Sequence, residues 1–260
     1  MEAVGTPLKE WDIRIYYGIK TGLNDAFIVD QATRDALVEA DPRSAEILKP
    51  VLRGRDIARY RANWAGLWLI DTHNGFADES PINVEEYPAI KARLDGFIRS
   101  LERRKDKGVT PYNLRNCAYH GSFALEKVIW IELVARGRFA YDESGMYIEA
   151  TAFMITGEQM KYLCAFLNSR LGHWYILKTA PTSGMGVSRW KKVYVESIPV
   201  AIPHPAALAE IESLVSAASL GMEPDEKRSA QVEKRIDALI YEAYDLSADE
   251  VHCVEMATKI

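Results

Sequence analysis

No apolar run in the sequence is long enough to span a bilayer, and its start, MEAVGTPLKEW, lacks the pattern of a secretory signal. Both absences predict a cytoplasmic chain with no membrane partner. Cysteine is scarce: Cys117, Cys164 and Cys253 are scattered and odd in number, which argues against a disulfide framework and suits a reducing compartment. The phosphate-cradling P-loop, the dinucleotide GxGxxG and the metalloprotease HExxH are all missing, as are internal repeats and low-complexity tracts. Fragments of catalytic patterns do occur, but none is complete. Cys117 and His120 have metal-like spacing without a second pair, and His252 beside Cys253 is no better. PDEK (224–227) resembles a nuclease motif in letters only, because Pro-Asp-Glu is a better helix start.

What is present is ample core material, 48% hydrophobic residues over 260, enough for one large domain or a main domain with an appendage. The net charge of −5 is unevenly spread. Residues 204–260 hold 5 Lys and Arg against 12 Asp and Glu, so residues 1–203 are mildly basic. An acidic total therefore does not exclude a nucleic-acid partner.

Hydrophobic periodicity predicts an α+β fold: a mixed small-sheet domain over 1–203 with interspersed helices, then an acidic helical segment over 204–260. Strands are expected in the stretches around Tyr16–Ile19, Ala26–Val29, WAGLWLID (64–71), KVIWIELV (127–134), RFAYD (138–142), MYIEATAFMIT (146–156) and KKVYVESIPVAIP. Helices are expected for QATRDALVEA, SAEILKPVL behind an Asp41-Pro42 start, PAIKARLDGFIRSLERRKDKG and EQMKYLCAFLNSRLGHWYIL. A Ser/Gly-rich loop, TSGMGVS (182–188), interrupts the second half. In the tail, HPAALAEIESLVSAAS and DEKRSAQVEKRIDALIYEAYDL read as helices, and Ser247 with Glu250 forms a capping box for a third.

The recurrent chemistry is basic or amide side chains beside glycine and aromatics in loops. RGRDIARYR (53–61) holds four arginines; Lys20, Thr21 and Asn24 flank Gly18 and Gly22; Arg99, Arg103 and Arg104 end a helix; and Arg189, Lys191 and Lys192 surround Trp190. Glycine lets backbone approach closely, Arg and Lys neutralise phosphates, and Arg reads guanine through two parallel bonds. Each cluster also has an ordinary explanation. Cations suit a helix C-terminus, Lys20-Thr21-Gly22 can be a plain turn, and Arg53, Arg55 and Arg59 can pair with Asp56 and its neighbours.

In this order, YYGIKTGLNDAFIV, ILKPVLRGRDIARY, WLI, NLRNCAYHGSFALEKVIWIELV, LCAFLNSRLGHWYI and VESIPVAIP together resemble the TaqI-like C-terminal specificity domain. That domain belongs to type IIG restriction-modification enzymes and related adenine-specific DNA methyltransferases. The resemblance spans nearly the whole chain and implies the half that recognises the DNA target. The expected partners are duplex DNA and an N-terminal methyltransferase domain or subunit, which would bind S-adenosylmethionine. The Asn/Asp-Pro-Pro-Tyr tetrapeptide of that catalytic half is absent here, so methyl transfer is expected elsewhere. The resulting contact set is Lys20, Thr21, Asn24, Arg53, Arg55, Arg189, Lys191 and Lys192, with Arg99, Arg103 and Arg104 as DNA-backbone contacts. Two other readings stay open: a magnesium-dependent nuclease built on Asp71, Glu132 and Lys127, and a protein-interaction module docking through its tail on a methyltransferase subunit.

Overall fold

The computed structural model describes residues 1–183, 187–220 and 226–259. The centre of the TSGMGVS loop and the start of the PDEK stretch lie outside the described residues.

The fold is α+β and is organised by one four-stranded antiparallel sheet. Ala152–Gly157 lies between Ile13–Tyr17 and Lys127–Ile131, and Phe139–Asp142 extends the far side of Lys127–Ile131. Successive side chains on a strand point to opposite faces, and here both faces are covered. Val128, Trp130, Phe153 and Ile155 enter one hydrophobic core, whereas Ile129, Ala140, Ala152 and Met154 enter another. That is why KVIWI and AFMIT are almost continuously apolar rather than alternating.

The first core is closed by helices Met160–Asn168 and Arg170–Thr179 and by the three tail helices, Pro205–Ser219, Glu226–Ala243 and Ala248–Ala257. The tail is part of this core: Ile211, Val215, Ile236 and Ile240 are fully buried in the same cluster as Trp130. The second core is covered by another four-stranded sheet, ordered Ile28–Val29, Trp68–Ile70, Leu48–Leu52 and Tyr147–Ile148, the last pair parallel. Helices Gln31–Ala40, Pro88–Asp95 and Ile98–Arg103 pack beside it. A three-stranded sheet (Thr182–Ser183, Val187–Arg189, Leu133–Val134) and the pair Thr6–Pro7 with Pro199–Val200 complete the sheets.

Local signals act as expected at several ends. Asp30 caps Gln31–Ala40 by accepting from Thr33 N at 2.8 Å. Ser247 and Glu250 form the reciprocal capping box of the last helix. Elsewhere the tertiary context overrides helical or strand periodicity. SAEILKPVL is not one helix. A 3-10 stretch ends at Ile47, and Leu48–Leu52 is a strand in which Pro50 stands opposite Trp68; proline disfavours helical backbone before it. The long helix over 88–108 is two short ones, parted at Gly96 and Phe97. The helix over 158–177 also breaks, at Ser169, whose extended backbone starts a new helix while its Oγ accepts from Gly172 N at 3.1 Å. KKVYVESIPVAIP is strand only at Pro199–Val200, because Lys192–Val195 makes a helical turn that buries Val195.

Candidate nucleic-acid interface

The RGRD segment forms a compact turn. Asp56 is buried, and its Oδ2 accepts from Arg53 N at 2.9 Å and from Arg53 Nε at 3.1 Å, while Oδ1 accepts from Arg53 Nη2 at 2.9 Å. One carboxylate therefore closes the turn and aims the guanidinium. Burial pushes the Asp56 carboxyl upward, but its bonds to Arg53 prevail and hold it below the usual carboxylate range. Gly54 N donates to Thr151 Oγ1 at 3.2 Å, and a Cβ at residue 54 would meet Ile131 Cγ2 at 2.9 Å, so this close approach requires glycine. Arg55 points outward, exposed and without an ion pair among the described residues. The turn is a single 3-10 turn, so Arg55 and Arg59 do not share a helix face. Arg59 instead turns inward, with Nε 2.6 Å from Glu233 Oε1.

The turn opens into a cleft of about 670 Å³, where Arg53, Arg55 and Arg138 meet Tyr17 and Phe153, with Glu132 and Glu149 on its wall. A second cleft of about 330 Å³ is lined by Lys20, Arg115, Asn116 and Tyr119. Tyr17 and Ala150 line both clefts, so the two adjoin along one grooved surface. Its five cations face two acids at the lining. Tyr17, 53% exposed, marks the junction and rests on Phe153 with ring centroids 4.6 Å apart.

The Arg189–Lys192 segment reaches the same place from another element. Arg189 pairs in register with Leu133, Trp190 N donates to Glu132 O at 2.8 Å, and Lys191 Nζ stands 3.9 Å from Glu132 Oε1. Arg53 and Arg55 line the first cleft, whereas Arg189 and Lys191 stand beside its Leu133 and Glu132 wall without lining it. Lys20 stands on the wall of the second, paired with Asp106 at 3.1 Å. Lys192 folds back toward Glu196 at 3.3 Å and Ile15 O at 3.5 Å.

Five expected contacts are placed differently. Arg104 is buried against Phe27, and its guanidinium donates to the carbonyls of Thr21, Asp106, Pro111 and Asn113. Burial pushes its pKa down to about 10. It knits the interior and is removed from the DNA-backbone contacts. Thr21 is corrected in the same way. It is buried, its Oγ1 accepts from Leu23 N at 3.2 Å and donates to Asn24 Oδ1 at 2.5 Å, so it shapes the turn. Asn24 is exposed but donates from Nδ2 to Glu149 Oε2 at 3.2 Å, supporting the groove wall. Arg99 and Arg103 are exposed and line neither cleft; Arg103 closes the Ile98–Arg103 helix, where a cation complements the helix dipole.

Arg138, Arg115 and Tyr17 joined the groove without being singled out from the sequence. A signal for Arg138 was present: Arg-Gly-Arg occurs twice, at 53–55 and at 136–138, and the second arginine of each lines the cleft. The nuclease triad does not assemble. Asp71 bonds His120 at 2.9 Å, Lys127 pairs with Asp142 at 2.5 Å, and Glu132 faces Lys191. Among the described residues no group of three metal-ligating side chains comes together. No helix among them is long and apolar enough to cross a membrane.

Scaffold and groove define a class, an α+β recognition domain presenting a cationic surface. The profile of the TaqI-like C-terminal specificity domain matches residues 49–200, more than half of the sequence, and the chain belongs to that family. Its fold resembles part of the type IIL restriction-modification enzyme MmeI, solved in complex with DNA: the TM-score is 0.70 at 12% identity, over 98% of this chain and 36% of that one. It also resembles part of the type IIG restriction endonuclease BpuSI, with a TM-score of 0.51 at 16% identity over 94% and 32%. The chain thus spans about a third of the length of these enzymes. At such identities the likeness is one of fold. No curated protein matches the sequence.

Proposed function

We propose that the chain binds duplex DNA sequence-specifically as the target-recognition domain of a restriction-modification adenine methyltransferase of type IIG kind. The observation that carries this reading is the open cleft lined by Arg53, Arg55 and Arg138 in a TaqI-like specificity domain, with Lys191 facing Glu132 on its wall and Arg189 in register with the lining residue Leu133. Lys20 and Arg115 extend the contact along the second cleft, and Arg99 and Arg103 are peripheral phosphate contacts. Arg53, oriented by Asp56, is suited to a base edge, because a pre-aimed guanidinium loses little freedom on binding. Arg55 is suited to a phosphate.

An adenine amine inside a duplex must leave the stack to be methylated. This domain would hold the flanking duplex in register meanwhile, with phosphate contacts for position and base contacts for sequence. S-adenosylmethionine would belong to a methyltransferase domain or subunit beside it, and the compartment would be the cytoplasm. Fluorescence anisotropy with a labelled duplex of mixed sequence tests the reading. Binding should weaken steeply with salt, and Arg55→Ala should lower the slope of log K against log salt by about one. Salt-insensitive binding, or none, would sink it.

A further inference from the structure

We infer that Glu233, on the acidic tail, is a positioning residue for the basic groove. It holds Arg59 and Arg136 together and thereby sets where Arg55 and Arg138 stand, an inference that rests on the DNA-binding reading above.

The two Arg-Gly-Arg segments come from distant parts of the chain, and each sends one arginine outward. Each also has an arginine close by that turns inward to the same carboxylate. Arg59 Nε lies 2.6 Å from Glu233 Oε1, and Arg136 Nη2 lies 3.1 Å from Glu233 Oε2. Arg59 further donates from Nη1 to Gly137 O at 3.1 Å and from Nη2 to Asn168 O at 2.7 Å. The carbonyl it grips at Gly137 is that of the residue before Arg138. Tyr60 N donates to Phe139 O at 2.7 Å, and Tyr141 N donates to Tyr60 O at 3.2 Å, which completes the seam between the segments. On the other side, a Cβ at Gly137 would meet Trp190 Cζ2 at 2.6 Å, so the second segment is pressed against the residue that follows Arg189. Burial pushes the Glu233 carboxyl upward, but the two guanidiniums prevail and keep it ionised.

The arrangement makes a prediction whose sign opposes simple electrostatics. Removing a negative charge from a DNA-binding protein should strengthen its hold on phosphate. If Glu233 positions the groove, its removal should weaken that hold. The test compares the full chain with Glu233→Gln and with Glu210→Gln, which takes one acid from the exposed Arg235–Glu210 pair of the same tail. The probe is a fluorescein-labelled duplex of mixed sequence, titrated at several salt concentrations, with circular dichroism confirming equal folding and stoichiometric titration giving the active fraction. The expected result is several-fold weaker binding per active molecule for Glu233→Gln, at an unchanged salt slope, and equal or tighter binding for Glu210→Gln. If Glu233→Gln does not fold, Glu233→Asp keeps the charge while shortening the reach and should also weaken binding. Unchanged or tighter binding in the Glu233 variant would overturn the inference and leave the DNA-binding reading intact. Absence of duplex binding by the wild type would overturn both.

Discussion

Arg55 and Arg104 illustrate how little residue type says about role. Both are arginines beside glycine or basic neighbours, yet one is exposed at the groove and the other makes four bonds from its terminal nitrogens to carbonyls of the interior. Lys127 is a third case, a fully buried ammonium whose Nζ is bonded to Phe123 O at 2.7 Å and paired with Asp142. Burial lowers its pKa, with Asp142 acting in opposition. Asp142→Asn would leave that charge unpaired inside the protein. We expect a loss of about 3–5 kcal/mol, read by urea denaturation. Asp237 gives a pH prediction. Burial raises its pKa from 3.8 to about 6, against the pull of Arg170. The folded state then holds this proton more tightly than the unfolded chain, so the associated stability is present below pH 3.8 and lost as pH rises through about 6. Asp237→Asn should gain Tm relative to wild type across that rise, and a constant difference on both sides of pH 6 would contradict it.

At the scale of elements, the departures from periodicity fall where a single residue decides the backbone. Ser169 lies in a stretch whose apolar stripe continues on both sides, but its Oγ satisfies the first turn of a new helix. The bend also lets Asn168 bond Phe139 N and O at 3.1 and 2.7 Å, tying helix to sheet. Ser169→Ala should cost about 1 kcal/mol by removing the cap, measurable as a shift in the denaturant midpoint at unchanged slope. The RGRD turn works in the same local way, with Asp56 answering Arg53 three residues away. Its partner across the cleft, the 136–138 segment, has no local device of that kind and takes its place from Arg59 and Glu233.

For the whole molecule, the central sheet with a core on each face makes the tail indispensable to one side. The Pro205–Ser219 and Glu226–Ala243 helices supply Ile211, Val215, Ile236, Leu239 and Ile240 to the core that holds Trp130 and Phe153. A chain ending at residue 204 would expose that surface. We expect it to lose the cooperative thermal transition and the near-ultraviolet signal of its buried tryptophans; a folded, DNA-binding fragment would refute this. The charge separation also reads at this scale. The tail concentrates the acids, while the groove is lined by residues of the body, so a net-acidic protein keeps a local field for phosphate.

The sequence by itself determined what depends on near neighbours: helix caps at Asp30 and Ser247, the buried runs KVIWI and AFMIT, the shape of RGRD and the family motifs around it. These rest on contacts within a few residues or on a repeat along one element, and such information is carried by adjacent letters. Tertiary structure alone decided which basic residues face outward. Arg104 and Arg138 differ because one finds carbonyls at Thr21 and Asn113, whereas the other is lifted by a seam that ends at Glu233. A charge turns inward only if a distant partner offsets its loss of water, and that partner is supplied by the fold.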